Sequence, residues 1–415
     1  MNEKLAKIAL PLFILWPFGS FLCALQNIKL KSSAFIIILF CMVFGYGFSF
    51  TNSSADSYRI AFVFSVFNFS SFSEIIGLYK AGGSVDIYRF LMYGITKLFT
   101  NNPKILYALC GLVFGVFMYL SLVMFSKEKD NKNEHYITIL FILFFSLNPL
   151  TNLNGFRFWT ATWVFFYAGM NFCIYNKKSW IIGVLITPFI HFSFLFIVPL
   201  ALAFFFLKKF IYSQQTIASW VLFLFVATFV LSWFLKINSI NLGFLTENDL
   251  LNSSINNKVS IYNSDRLTDM IQERETSFFH AVSRIFANIL KIYIFLFILK
   301  VRKIIINNPD ERSFKLLAFV MVFASFGYVA SIIPSGGRFQ IIAYLAAIML
   351  FLQVYVQSPS EKLRPFILLG LPAFSFQILF NIGYLAYTVV SGTIWYGNLF
   401  WIIYEGIGFK IRYSL

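Results

Sequence analysis

The chain has 415 residues, 59% of them hydrophobic and only 12% charged, and a mean hydropathy of +0.77. Soluble domains carry about 25% charged residues, and apolar runs this numerous cannot share one water-soluble core, so the solvent must be a bilayer. A soluble enzyme, a coiled coil, a disordered tail and a secreted disulfide scaffold are thereby excluded, and the net charge of +16 reads as basic residues beside anionic headgroups, not as a nucleic-acid surface.

Apolar runs fall at about 8–26, 33–50, 104–125, 136–150, 157–175, 216–235, 281–301, 314–333, 338–356, 364–386 and 392–409. Each is close to the length of a helical crossing. The first is followed at once by a second and lacks a small-residue cleavage site, so it is expected to be a retained span. Together they predict an all-α polytopic membrane protein with about 11 to 13 transmembrane helices, forming a single integral membrane domain over 1–415.

Residues 179–207 would make a helix of roughly 43 Å, against a hydrocarbon core of about 30 Å. Pro188 and Pro199 interrupt this stretch, and it lies between the pairs Lys177–Lys178 and Lys208–Lys209. Keeping both pairs on the cytoplasmic side requires a short helical hairpin that turns near Pro188 to His191. With the chain starting outside, this topology leaves more than half of all Lys and Arg in inner loops, as the positive-inside tendency asks.

Two outer loops follow from that topology, 51–103 and 238–280. Within the first, Asp86, Arg89, Tyr93 and Lys97 share one helical face while Ile87, Leu91, Ile95 and Leu98 share the other, which predicts a helix lying in the interface. The second is polar and charged; it reads either as a lid over an outward-facing site or as a solvated loop. Its Glu247 and Asp249 have a carboxylate spacing that charged loops also produce by chance.

The chain has no phosphate-binding glycine loop, no HExxH and no paired-cysteine zinc spacing. Its four cysteines lie singly in apolar runs, where they read as packing residues. No metal or other cofactor is expected. The informative residues are isolated cations. Arg157 stands in GFRFW and Arg338 in PSGGRF, each at the expected outer start of a span with glycine just before it. A guanidinium beside the free N–H groups of a helix start is an anion site suited to phosphate, although arginines at span ends also snorkel to headgroups. Arg284 and Lys291 share a helix face, and a mid-span charge such as Lys291 needs a partner or a wet cavity. The near absence of carboxylates from the spans argues against an ion-driven transporter. His191 in TPFIHFS is a candidate base or a structural hydrogen-bonding residue. Asp56 and Asp86 are candidate bases or hydroxyl-orienting groups, with helix capping as the alternative.

In this order the segments DSY at Asp56–Tyr58, DIYRFLMYGITKLFTNN at Asp86–Asn102, NGFRFW at Asn154–Trp159, IHFS around His191 and GGRF at Gly336–Phe339 resemble the EpsG-like group of bacterial polysaccharide polymerases, related in role to Wzy-type O-antigen polymerases. The similarity covers most of residues 30–355. It departs from the group's pattern in two places: no arginine precedes the DSY element, leaving Arg59 as a substitute, and Phe158 stands where a Gln commonly follows the arginine. The resemblance implies a GT-C-like, metal-independent glycosyltransferase at the bacterial inner membrane, with its active site facing the periplasm or exterior. Its partners would be undecaprenyl-pyrophosphate-linked glycans as donor and acceptor, the bilayer, and a chain-length regulator protein. In that reading Arg157, Arg338, Arg284 and Lys291 hold the pyrophosphate, His191, Asp86 or Asp56 handles the attacking hydroxyl, and Arg59, Arg89 and Tyr58 contact the glycan. An O-antigen ligase or a lipid-linked oligosaccharide flippase is the alternative.

Overall fold

A computed structural model describes residues 2–53, 55–66, 73–74, 76–77, 86–127, 134–213, 215–235, 278–307, 310–333, 335–357 and 361–407. Of the expected second outer loop, 238–280, residues 238–277 with Glu247 and Asp249 lie outside the described residues, and 278–280 belong to a helix. Among the described residues the chain is helical, with one isolated bridge between Phe48 and Val390. The order is α1 Asn2–Leu15, α2 Pro17–Gln26, α3 Lys31–Tyr46, α4 Asp56–Val66, α5 Ile87–Lys97, α6 Pro103–Lys127, α7 Glu134–Leu147, α8 Phe156–Gly169 and α9 Ile181–Ile190. It continues with α10 Val198–Ser213, α11 Gln215–Phe234, α12 Phe278–Asn307, α13 Glu311–Ala330, α14 Gln340–Gln357, α15 Arg364–Phe376, α16 Leu385–Val389, α17 Thr393–Tyr396 and α18 Leu399–Gly406.

Among the described residues five helical stretches, 103–127, 135–174, 192–211, 311–330 and 336–357, are long and apolar enough to cross a membrane, and shorter apolar helices accompany them. The second of these stretches is two legs. Asn148 and Pro149 end α7 and a 3₁₀ turn at Leu150–Gly155 follows. Phe144 near the end of α7 then packs on Trp163 and Phe166 of α8, which a continuous helix would hold far apart. Here proline's missing N–H and fixed φ stop the ladder.

The same chemistry breaks the first apolar run. Pro17 pushes Trp16 out of the helical region, to φ −154° and ψ 85°, and Ser20 Oγ donates back to the Ala9 carbonyl at 2.6 Å. The expected single crossing is therefore a pair of short helices folded back on each other.

The predicted hairpin at 179–207 is present. The α9 leg ends at His191, whose backbone is extended (φ −148°, ψ 119°), and a 3₁₀ turn at Phe192–Phe196 leads into α10. The return is proved at its foot: Lys208 Nζ donates to the Cys173 carbonyl and to Asn176 Oδ1, and Phe205 stacks on Phe172 with ring centres 4.2 Å apart. Both lysine pairs thus sit at one end of the bundle, with Arg312, which donates to the Tyr175 hydroxyl at 2.7 Å. This is called the basic end; the hairpin apex marks the opposite, site end.

The core beneath the site is the α3–α6 pair. A Cβ on Gly111 would stand 2.2 Å from the Cys41 carbonyl oxygen, and one on Gly45 would stand 2.1 Å from that of Tyr107. Glycine lets the two backbones touch, as small residues do where membrane helices pack without a hydrophobic drive. Helix α5 stands at the site end with one side covered and one side open. Ile87, Leu91 and Leu98 are exposed while Tyr88, Met92 and Tyr93 are buried, so its aliphatic side points away from the protein and the side that carries Arg89 and Tyr93 faces it.

Candidate anion site

At the site end, five chain segments converge on a cavity of about 280 Å³. Its walls carry Arg59 from α4, Arg89 from α5, Arg157 from α8 and Arg338 from the turn before α14, with Asp56, Tyr93 and His191 as the other polar lining residues.

Each arginine is placed by local backbone chemistry. Arg157 is the second residue of α8, whose start is fixed by buried amides: Asn152 donates to Asn148 at 2.9 Å, and Asn148 donates to the Trp159 carbonyl at 3.1 Å. Arg338 lies in the 3₁₀ turn Gly336–Phe339 after Ser335, which takes the left-handed conformation at φ 64°. A Cβ on Gly336 would come within 1.9 Å of the Ala330 carbonyl oxygen, so only glycine lets the chain reverse this tightly out of α13. Arg89 projects from the polar side of α5. Its Nε is buried without a hydrogen-bond partner, and burial, together with the Arg157 charge, pushes its pKa below the ordinary arginine value. A guanidinium in this state favours an incoming anion.

The carboxylates differ from each other. Asp56, at the start of α4, pairs with Arg59 at 2.5 Å and is partly exposed to the cavity. Asn154 Oδ1 accepts from the Ser57 N–H at 2.9 Å, so the turn that precedes Arg157 also holds the start of α4. Asp86 is 1% exposed and does not line the cavity. Its Oδ2 accepts from Arg157 at 2.6 Å, and its Oδ1 accepts from the Phe192 backbone N–H at 2.6 Å. One side chain therefore ties α5 to both the arginine of α8 and the hairpin apex. Breaking such a buried pair by removing one partner typically costs about 3–5 kcal/mol.

His191 lies at the apex. The Ser193 N–H donates to its Nδ1 at 3.3 Å, and the Ser193 hydroxyl is 2.7 Å from the same nitrogen. With Nδ1 accepting from the backbone, the neutral ring carries its proton on Nε2. The ring packs edge-on to Phe158, 5.3 Å between centres. Phe158, which departs from the family pattern read in the sequence, is an aromatic hub: Arg338 lies 5.9 Å over its face and Phe339 packs on it at 5.4 Å.

Two cations singled out in the sequence stand elsewhere. Lys291 is buried among α11, α12 and α13. Its ammonium donates to Ser232 and lies over the rings of Trp233, Tyr328 and Phe229 at 4.9, 5.3 and 5.6 Å. Arg284 is exposed on α12. Neither lines the cavity, and the expectation that they join Arg157 and Arg338 does not match their position. Tyr58 stacks on Phe62 and also lies outside the lining. Among the described residues no group of three or more His, Cys, Asp or Glu is placed to hold a metal ion. Sequence reasoning missed Phe158 as a wall and assigned Arg89 to the glycan; the buried face of α5 that aims Arg89 inward is set by tertiary packing.

The EpsG family model matches residues 82–396. The chain belongs to the EpsG family. This is the family of Wzy-like polysaccharide polymerases, and the matched span contains Asp86, Arg89, Arg157, His191 and Arg338, while Asp56 and Arg59 precede it. No curated protein and no solved structure matches the chain. As an EpsG-family member it is a multi-pass membrane protein with a polysaccharide-polymerase-like role.

Proposed function

We propose that the chain polymerises polyprenyl-pyrophosphate-linked oligosaccharide repeat units, with the arginine cavity holding the donor's pyrophosphate. The observation that carries this is the convergence of Arg59, Arg89, Arg157 and Arg338 on one cavity whose lining includes a single carboxylate, Asp56. In the positive-inside sense the basic end faces the cytoplasm and the cavity faces the outer side of the bacterial inner membrane.

The reaction moves a growing glycan from its lipid pyrophosphate to a sugar hydroxyl of a second lipid-linked unit. The bond between the anomeric carbon and the pyrophosphate oxygen breaks, its electron pair leaves with the pyrophosphate, and a glycosidic C–O bond forms. The hydroxyl's proton passes to Asp56, whose carboxylate opens to the cavity. Negative charge grows on the departing oxygen, where Arg157, Arg338 and Arg89 already stand; donors aimed at developing charge lower a barrier most because they need not reorganise. His191 contributes Nε2–H to the same anion, so its role is donation and not base catalysis. Asp86 holds Arg157 and the apex in register and is a positioning residue.

The test is mass analysis of lipid-linked and core-linked glycans in a deletion strain complemented with wild-type or Arg338→Ala protein. Wild type restores long chains, and the variant leaves single repeat units. Normal chain length with Arg338→Ala refutes the clamp. Loss of every repeat from the core while the polymer persists on the lipid identifies a ligase instead.

A further inference from the structure

A second cavity, of about 320 Å³, opens on the lipid-facing side between α10, α11 and α13. Leu200, Leu224, Thr228, Val322, Phe326 and Val329 form its walls. Its two hydroxyl residues are turned away: Ser325 Oγ donates to the Met321 carbonyl at 2.8 Å, and Thr228 Oγ1 donates to that of Leu224 at 2.7 Å. The surface offered is therefore almost wholly hydrocarbon. On α13 the lining positions 322, 326 and 329 follow the helical repeat over two turns, roughly 10 Å along the axis, and end one residue short of the helix's last residue at the site end.

This groove and the arginine cavity are linked by a row of three rings. Phe326 packs on Phe339 at 5.4 Å, Phe339 packs on Phe158 at 5.4 Å, and Phe158 lines the cavity beneath the Arg338 guanidinium. A cationic chamber and a hydrocarbon slot thus stand at the two ends of this aromatic row, with the slot running along α13 away from the site end. The ligand that fits both has a multivalent anionic head joined to a long flexible hydrocarbon.

We propose that this groove holds the isoprenoid tail of the donor nearest its pyrophosphate, so that the aromatic row sets where head ends and tail begins. The inference rests on the pyrophosphate reading of the cavity. In that arrangement the tail is drawn in sideways from the bilayer between α11 and α13, and the slot aligns the lipid before the head meets Arg338.

The test compares purified full-length protein on undecaprenyl- and methyl-pyrophosphate-linked glycan donors, since a single carbon leaves the groove empty. Ser325→Phe and, separately, Thr228→Phe should raise the ratio of undecaprenyl KM to methyl-donor KM by about tenfold, equivalent to about 1.4 kcal/mol. A diazirine-bearing undecaprenyl pyrophosphate should label the α13 peptide containing Val322–Val329, with labelling competed by unmodified undecaprenyl pyrophosphate. An unchanged KM ratio in both variants overturns the tail assignment, as does labelling of that peptide by a diazirine phospholipid that undecaprenyl pyrophosphate does not compete. Arg338→Ala run alongside separates the two readings: loss on both donors supports the clamp whatever the groove variants do, and no loss on either refutes it.

Discussion

The cavity at the site end and the cage around Lys291 are both places where a cation is taken out of water inside an apolar bundle, and they resolve the cost in opposite ways. Lys291 is closed in by Trp233, Tyr328, Phe229 and the Ser232 hydroxyl; cation–π contacts contribute about 0.5–2 kcal/mol each, which offsets much of the several kcal/mol that a mid-membrane charge costs. The cavity arginines are held from behind, by Asp86, Asp56 and the Phe158 face, and remain open in front. An intramembrane charge is thus evidence of a site only when its environment leaves a side unfilled.

This contrast breaks first if Arg157 proves dispensable. Arg157→Met should cut turnover on the lipid-linked donor by about 10²–10³-fold, the range for removing a donor aimed at developing charge; a loss under tenfold places the anion elsewhere. Asp86→Asn follows, with an expected loss of about 10–10²-fold and a lower melting temperature in detergent, since the substitution leaves Arg157 without its carboxylate. If Asp86 acts through Arg157, a double-mutant cycle between the two must be strongly non-additive. Additive losses would make Asp86 an independent participant in the chemistry.

His191 sharpens the comparison further. His191→Gln, which offers an N–H at similar reach, should retain about tenfold more turnover than His191→Ala. Equal loss in the two, with an activity–pH limb that disappears in both, would restore the histidine as base. The smallest effect is expected at Lys291: Lys291→Met should leave turnover within about threefold of wild type, because a flexible apolar chain can occupy the same cage. A large loss of kcat at unchanged folded yield would join that cage to the reaction.

The hairpin was legible because two lysine pairs bracket a stretch too long for one crossing, and charge and length are properties of the chain itself. Arg157 and Arg338 were legible because glycine beside an arginine at a span start is a local pattern. What Asp86 does was not, since its partners Arg157 and Phe192 are 71 and 106 residues away in sequence and no periodicity links them. Lys291 misled for the same reason: its depth in the span was readable, but the rings around it come from two other helices. The fold at Trp16–Pro17 escaped because continuous hydropathy hides a proline break inside an apolar run.

The hairpin is anchored at its foot by Lys208 and at its apex by the carboxylate that receives Phe192 N–H. Its ascending leg has ten residues, while the returning stretch, 192–211, is by itself long enough to cross a membrane. At the join of this short leg and this long one, a single carboxylate receives both the Phe192 N–H and the Arg157 guanidinium. Any displacement of the hairpin is therefore passed directly to Arg157, and the stiffness of the turn becomes a determinant of where that charge stands.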